Sequence, residues 1–188
     1  MGTHIPTREK ALELLLKYNE RESLINHAKA VEAVMRHFAE LNGDDSDKWG
    51  IIGIIHDLDY EKYPEQHCIV TKKILEDAGW DDEYIRAVMS HAWGLCTDIE
   101  PKTQLEKTLF AIDELTGLIT ACALVRPSKS VMDLEVKSVK KKWKDKRFAA
   151  GANREVIQKG ADMLGVTRNE LIQYTIDGMR KVASEIGL

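Results

Sequence analysis

The chain has 188 residues, 44% of them hydrophobic and 31% charged, with a formal net charge of −4. That length buries a core without covalent staples, and that composition excludes a disordered chain. The mildly acidic balance argues against non-specific nucleic-acid binding by the surface as a whole.

The longest apolar stretches fall far short of the ~18 residues a membrane span needs. The N-terminus carries no basic segment followed by a long apolar run, so no secretion signal is expected. Cys68, Cys96 and Cys122 are an odd, widely spaced set without a CxxC pair. They read as reduced thiols of a cytoplasmic protein.

In chain order, apolar residues at spacings of three and four predict a helix over Thr7 to Tyr18 and a second from about Ser23 to Leu41. His27 lies on the inward stripe of the second helix, which a turn at Asn42-Gly43-Asp44-Asp45 closes. A third helix is expected from Trp49 to about Asp57, with Asp45 or Ser46 as its cap. Its continuous apolar character also fits a buried strand, but no other segment reads as a partner strand. After Pro64 a fourth helix is expected over Glu65 to Ala78, and a fifth from about Asp82 to His91.

Gly94 to Pro101 reads as loop. Thr103 to Leu124 is the longest clean helical pattern and carries Asp113 and Glu114. From Lys129 to Arg147 eight basic residues face only Asp133, Glu135 and Asp145. Further helices are expected near Arg154 to Leu164 and over Thr167 to Ile186, the last opened by the capping box Thr167-Arg168-Asn169-Glu170. The expectation is an all-α, single-domain helical bundle, with a metal-binding core over about 23–119 and a helical extension over about 129–188.

The third segment delivers an imidazole and a carboxylate, His56 and Asp57, at the end of an apolar run. Isolated charges are costly to bury, and metal coordination is one way to offset that cost. His27, His67, His91 and Asp113 are further candidate ligands, each on a different helix or helix end, which a bundle brings together when they face a common interior. Taken singly, His27 also fits a hydrogen-bonded core histidine, His67 a surface residue, and His91 a helix cap. Asp113 in an apolar helix is harder to dismiss, because an unpaired carboxylate there is expensive. Imidazole-rich ligation favours a transition metal over magnesium.

His27, the doublet His56-Asp57 and Asp113 resemble, in the same chain order, the motif of the HD-domain metal-dependent phosphohydrolases (HDIG type). His67 and His91 resemble the two additional histidines of the subgroups that hold a second metal. The resemblance covers roughly Ser23 to Ile119. It implies a first metal site of His27, His56, Asp57 and Asp113, and a second of His67 and His91, with Asp57 bridging the two. One or two divalent ions are implied, drawn from Fe, Mn, Mg, Ni, Co or Zn.

The implied chemistry is hydrolysis of a phosphate ester or anhydride by a metal-activated water. If one metal binds, a carboxylate must help activate that water, and Asp59 or Glu114 is a candidate; Glu114 also fits a solvated or salt-bridged residue. Lys62 could contact a substrate phosphate or simply face solvent. Trp93 could stack on a base or cover the core. Lys140 and Lys144, with Lys141 and Arg147, could line the mouth and attract a polyanion, or form a solvated helix face.

The resemblance implies a small phosphorylated partner, a small nucleotide or dinucleoside polyphosphate. Lys62-Tyr63-Pro64 stands where the cyclic-dinucleotide phosphodiesterases carry Gly-Tyr-Pro, which directs the expectation away from cyclic dinucleotides. The rival of another class is a non-catalytic metal- or nucleotide-binding regulatory protein. A nucleic-acid-binding module on the basic stretch is the weaker third, because Trp143 is the lone aromatic among those lysines. No membrane partner is expected, and the pattern leaves the oligomeric state open.

Overall fold

Side-chain caps open most of the helices. In the computed structural model, which describes residue 2 and residues 4–188, Thr7 Oγ1 caps α1 (Arg8–Tyr18) and Asp45 accepts from the amides of Asp47 and Lys48 to start α3 (Ser46–Ile55). Asp81 opens α5 (Asp82–Ser90), and Asn153 opens α8 (Arg154–Leu164). Reciprocal capping boxes start α6 (Gln104–Leu124) at Thr103 and α9 (Arg168–Arg180) at Thr167. Each cap satisfies amides that have no partner within the helix. The remaining helices are α2 (Glu22–Asn42), α4 (Ile69–Asp77) and α7 (Val136–Trp143). Among the described residues there is no sheet, only two isolated bridges, His4 with Trp80 and Trp93 with Thr97. The fold is all-α.

α2 is the spine. It packs against α3, α6 and α9, while α6 carries α8 on another face. α3 lies among α1, α2 and α5, and every residue from Trp49 to Ile55 is buried. Enclosure on several sides explains why its sequence shows no polar stripe. Gly53 allows α3 to come that close to α2, since a Cβ there would sit 3.1 Å from Glu32 Cα. The α2 residue at that contact, Glu32, is itself buried, and its carboxylate takes Arg8 Nε at 2.6 Å and Arg36 Nε at 3.0 Å. Two guanidinium groups offset the desolvation of one carboxylate.

Three predicted boundaries are corrected. α3 ends at Ile55, so His56 and Asp57 begin a turn in place of closing the helix. The expected helix over Glu65 to Ala78 is broken: Pro64–Gln66 forms one 3-10 turn, and α4 starts only at Ile69. Cys68 between them has φ of 69°, a left-handed conformation that no helix interior contains. The last helix stops at Arg180, and Ala183–Glu185 forms a separate 3-10 turn after Val182, whose backbone is neither helical nor extended.

Within the basic stretch only α7 is helical; Val139 faces the core while Lys140, Lys141 and Lys144 are exposed. The C-terminal helices share the core: Ile157, Ala161, Leu171, Ile172 and Ile176 are fully buried in the same cluster as α2 and α6. No helix among the described residues is long and apolar enough to cross a membrane.

Candidate metal centre

The turn after α3 is tied down by its own polar residues. Asn19, buried at the end of α1, donates Nδ2 to Leu58 O at 3.2 Å. The Asp59 carboxylate, fully buried, accepts from Thr71 N at 2.7 Å and from His67 Nδ1 at 2.8 Å. Glu61 accepts from the amides of Glu20 and Arg21, filling the N-terminal amides ahead of α2, and Lys62 Nζ donates to Lys17 O at 3.0 Å. These bonds fix the direction in which His56 and Asp57 point. The left-handed Cys68 and the Asp59 bond aim His67 back at that turn.

Two ligand sets result. His27 from α2, His56 and Asp57 from the turn, and Asp113 from mid-α6 converge so that one ligand atom of each lies within 4.8 Å of the others. His27 Nε2 is 3.0 Å from Asp113 Oδ1, and His56 Nε2 is 3.2 Å from that oxygen and 3.4 Å from Asp57 Oδ2. On the other side of Asp57, its Oδ1 lies 3.5 Å from His67 Nε2 and 3.4 Å from His91 Nε2. Asp57 thus presents one oxygen to each set.

The proton positions follow from the partners of the opposite ring atoms. His56 Nδ1 donates to Gly53 O at 2.7 Å, His91 Nδ1 to Val88 O at 2.6 Å, and His67 Nδ1 to Asp59. In each neutral ring Nε2 is therefore a bare lone pair. His56 Nε2 is fully buried and hydrogen-bonded to nothing despite the nearby carboxylates. His67 Nε2 and His91 Nε2 face each other at 3.3 Å. Lone pairs so arranged repel unless a proton or a cation lies between them.

Donor atoms at about 2.0–2.2 Å from a shared transition metal lie roughly 3–3.5 Å from one another, and these contacts fall in that range. The residues present fit a divalent cation in both sets. Burial works against charge on His56, but Asp57 and Asp113 outweigh it and raise its pKa well above the ordinary imidazole value. Burial works against charge on both carboxylates as well, and the facing imidazoles overcome it and hold Asp57 and Asp113 below the usual range.

Cys68 completes a group with His67 and His91 in which each residue offers a ligand atom within 4.8 Å of the others. Burial pushes its thiol far up. All three cysteines are free thiols, Cys68 and Cys122 buried and Cys96 exposed. Sequence reasoning did not single out Cys68; the available cue was its adjacency to His67 at a point where the helix breaks.

The sets open into a cavity of about 480 Å³ whose wall includes His27, Asp57, His67, His91, Asp113 and Glu114. Tyr60, Leu24 and Leu95 also line it, as do Ala149, Gly151, Ala152 and Val156 from the approach to α8 and its first turn. The C-terminal third therefore builds part of the site wall, a contribution that patterning over 23–119 did not show.

Glu114 faces this cavity and accepts from Asn153 N at 3.3 Å. Burial, followed by the Asp113 charge, raises its pKa. Asp59 stands behind His67, outside the cavity lining. Lys62, Trp93, Lys140 and Lys144 are not part of that lining either. Trp93 packs 5.9 Å from the Phe110 ring with Lys159 Nζ over its face, and Lys140 borders a separate cleft with Gln158 and Asp162. No protein-family model, curated protein or solved structure matches this chain.

Proposed function

We propose that the protein is a metal-dependent phosphohydrolase that cleaves a phosphate ester or anhydride of a small molecule. The resemblance to HD-domain phosphohydrolases implies a small nucleotide or dinucleoside polyphosphate as the substrate class. The observation that carries the reading is Asp57, whose two oxygens each belong to a different histidine set, at the wall of an open cavity. A buried structural site would have no need of that access. Divalent ions in the two sets would supply the Lewis acidity that makes hydroxide available near neutral pH and neutralises phosphoryl charge.

The chain's own residues do the rest. His56, His67 and His91 are locked in one tautomer by carbonyl or carboxylate partners, so their Nε2 atoms need no reorganisation. Glu114 is the carboxylate on the cavity wall outside both ligand sets, and it is placed to hold a proton at its free oxygen during attack or departure. Val156 and Leu24, both half-buried, exclude bulk water from part of the wall and so strengthen the electrostatics within.

The test is cleavage of a panel of phosphate esters and anhydrides by Mn²⁺-loaded protein in ¹⁸O-labelled water, with every phosphorylated product, inorganic phosphate included, resolved by mass spectrometry. One label per cleaved bond is expected, with Asp57→Asn lowering the rate at least ~100-fold, as loss of a metal-bridging ligand does. Metal-loaded protein that cleaves no member would instead favour a metal-binding regulatory protein.

A further inference from the structure

Gly117 lies in the interior of α6, where a glycine is less favourable than an alanine because it loses more backbone freedom on folding. Each of the other four glycines within helices has a packing reason. A Cβ at Gly50, Gly53, Gly160 or Gly178 would come within 2.5–3.0 Å of an atom of a neighbouring helix or side chain. At Gly117 an added Cβ meets nothing within 4 Å, and its backbone is not in the left-handed region. Folding gives no reason for the missing side chain.

Position supplies one. Gly117 and His27 line both the cavity of the metal centre and a second cavity of about 440 Å³ bordered by Asn26, Thr120 and Leu124. The two cavities share His27 and Gly117 as wall, and at Gly117, one helical turn beyond Asp113, the bare Cα leaves room that a side chain would take up.

The walls define what fits there. Neither cavity is lined by any Lys or Arg; the charged side chains outside the ligand sets are Glu114 in the first and Glu22 in the second. A second or third phosphate would face those carboxylates with no protein cation opposite, an arrangement that costs binding energy. An uncharged body suits Leu24, Val156 and Leu124, with Asn26 and Thr120 offering hydrogen bonds.

We propose that Gly117 is the specificity-determining position of the site: the uncharged organic body of a phosphate monoester lies across it into the second cavity, while the single phosphoryl group sits at the His/Asp centre. This rests on the phosphohydrolase reading and narrows it, setting polyphosphates aside.

The experiment measures calorimetric binding of three non-hydrolysable probes, methylphosphonate, benzylphosphonate and methylenediphosphonate, to Mn²⁺-loaded wild-type protein and Gly117→Leu. Wild type should bind benzylphosphonate at least tenfold more tightly than either of the others. Gly117→Leu should bring the benzyl-to-methyl affinity ratio close to one with metal content unchanged. Gly117→Ala, which removes the glycine cost, should raise the thermal midpoint by about 2–4 °C and so certifies that the position tolerates a side chain.

A wild-type ratio near one, a ratio preserved in Gly117→Leu, an equal fall in both affinities, or tightest binding of the diphosphonate would overturn the assignment while leaving the hydrolase reading intact. Failure of metal-loaded wild type to bind any of the three would remove the hydrolase reading, and the assignment with it.

Discussion

His67 Nε2 faces His91 Nε2 at 3.3 Å, while the Nδ1 of His67 donates to Asp59 and that of His91 to Val88 O. The pair is held by groups that belong to neither ligand set. Asp59 must accept from both His67 Nδ1 and Thr71 N, which an amide of the same size cannot do, since one of its two positions is a donor. Asp59→Asn should weaken the second ion about 10–100-fold, the cost of losing the partner that orients a ligand, and leave the first ion in place. Competition titration with a chromophoric chelator separates the two steps.

Glu32 tests the core beneath the site. Its buried carboxylate binds Arg8 and Arg36, but both arginines reach solvent and can rehydrate. Glu32→Ala should therefore cost about 2–3 kcal/mol, the range for charged hydrogen bonds, and not the larger penalty of stranding a buried charge. Urea unfolding of metal-free protein gives the difference directly.

α8 reaches the cavity through Ala152 and Val156 only because Gly160 lets it lie against α6. A Cβ there would stand 2.5 Å from Ala111 Cα. Gly160→Ala should destabilise by about 1–3 kcal/mol, the cost of overpacking, although alanine is the better helix former. The sign is opposite to that expected at Gly117, and parallel thermal scans of the two variants check it.

His37 sets a pH dependence remote from the metal centre. Burial, and then the charge of Lys181, lower its pKa below the ordinary 6.5, against smaller opposing effects of Glu40 and Asp177; its Nδ1 is buried without a hydrogen-bond partner. The unfolded chain takes up this proton first as pH falls, so His37 makes stability decline below about pH 6.5 down through its folded pKa. The thermal midpoint of His37→Gln should fall less steeply than that of wild type between pH 7 and pH 5. Equal slopes would remove His37 as the source.

The helices were legible because their periodicity and caps are local. Thr103 and Thr167 announce their capping boxes in four residues each, and α8 begins and ends where its pattern does. The convergence of His27, His56, Asp57 and Asp113 was legible too, since each sits on an inward face or helix end. The His67-Cys68 kink was not: it depends on Asp59 and on a left-handed cysteine, and no propensity distinguishes that segment from a helix start. The placement of the lysines was not legible either, for a related reason. Lys62 serves the Lys17 carbonyl and Lys140 a separate cleft, and charge alone carries no information about direction. Gly117 gave no signal, because an open space appears only when two cavities are seen on either side of it.

The proposed two-ion centre bridged by Asp57 is read out by the metal content of anaerobically purified protein beside its His67→Ala variant. About two transition-metal ions per chain are expected, falling to about one in the variant while the His27, His56 and Asp113 set keeps its ion. A single ion that the substitution leaves unchanged, or no ion under any reconstitution, would contradict it.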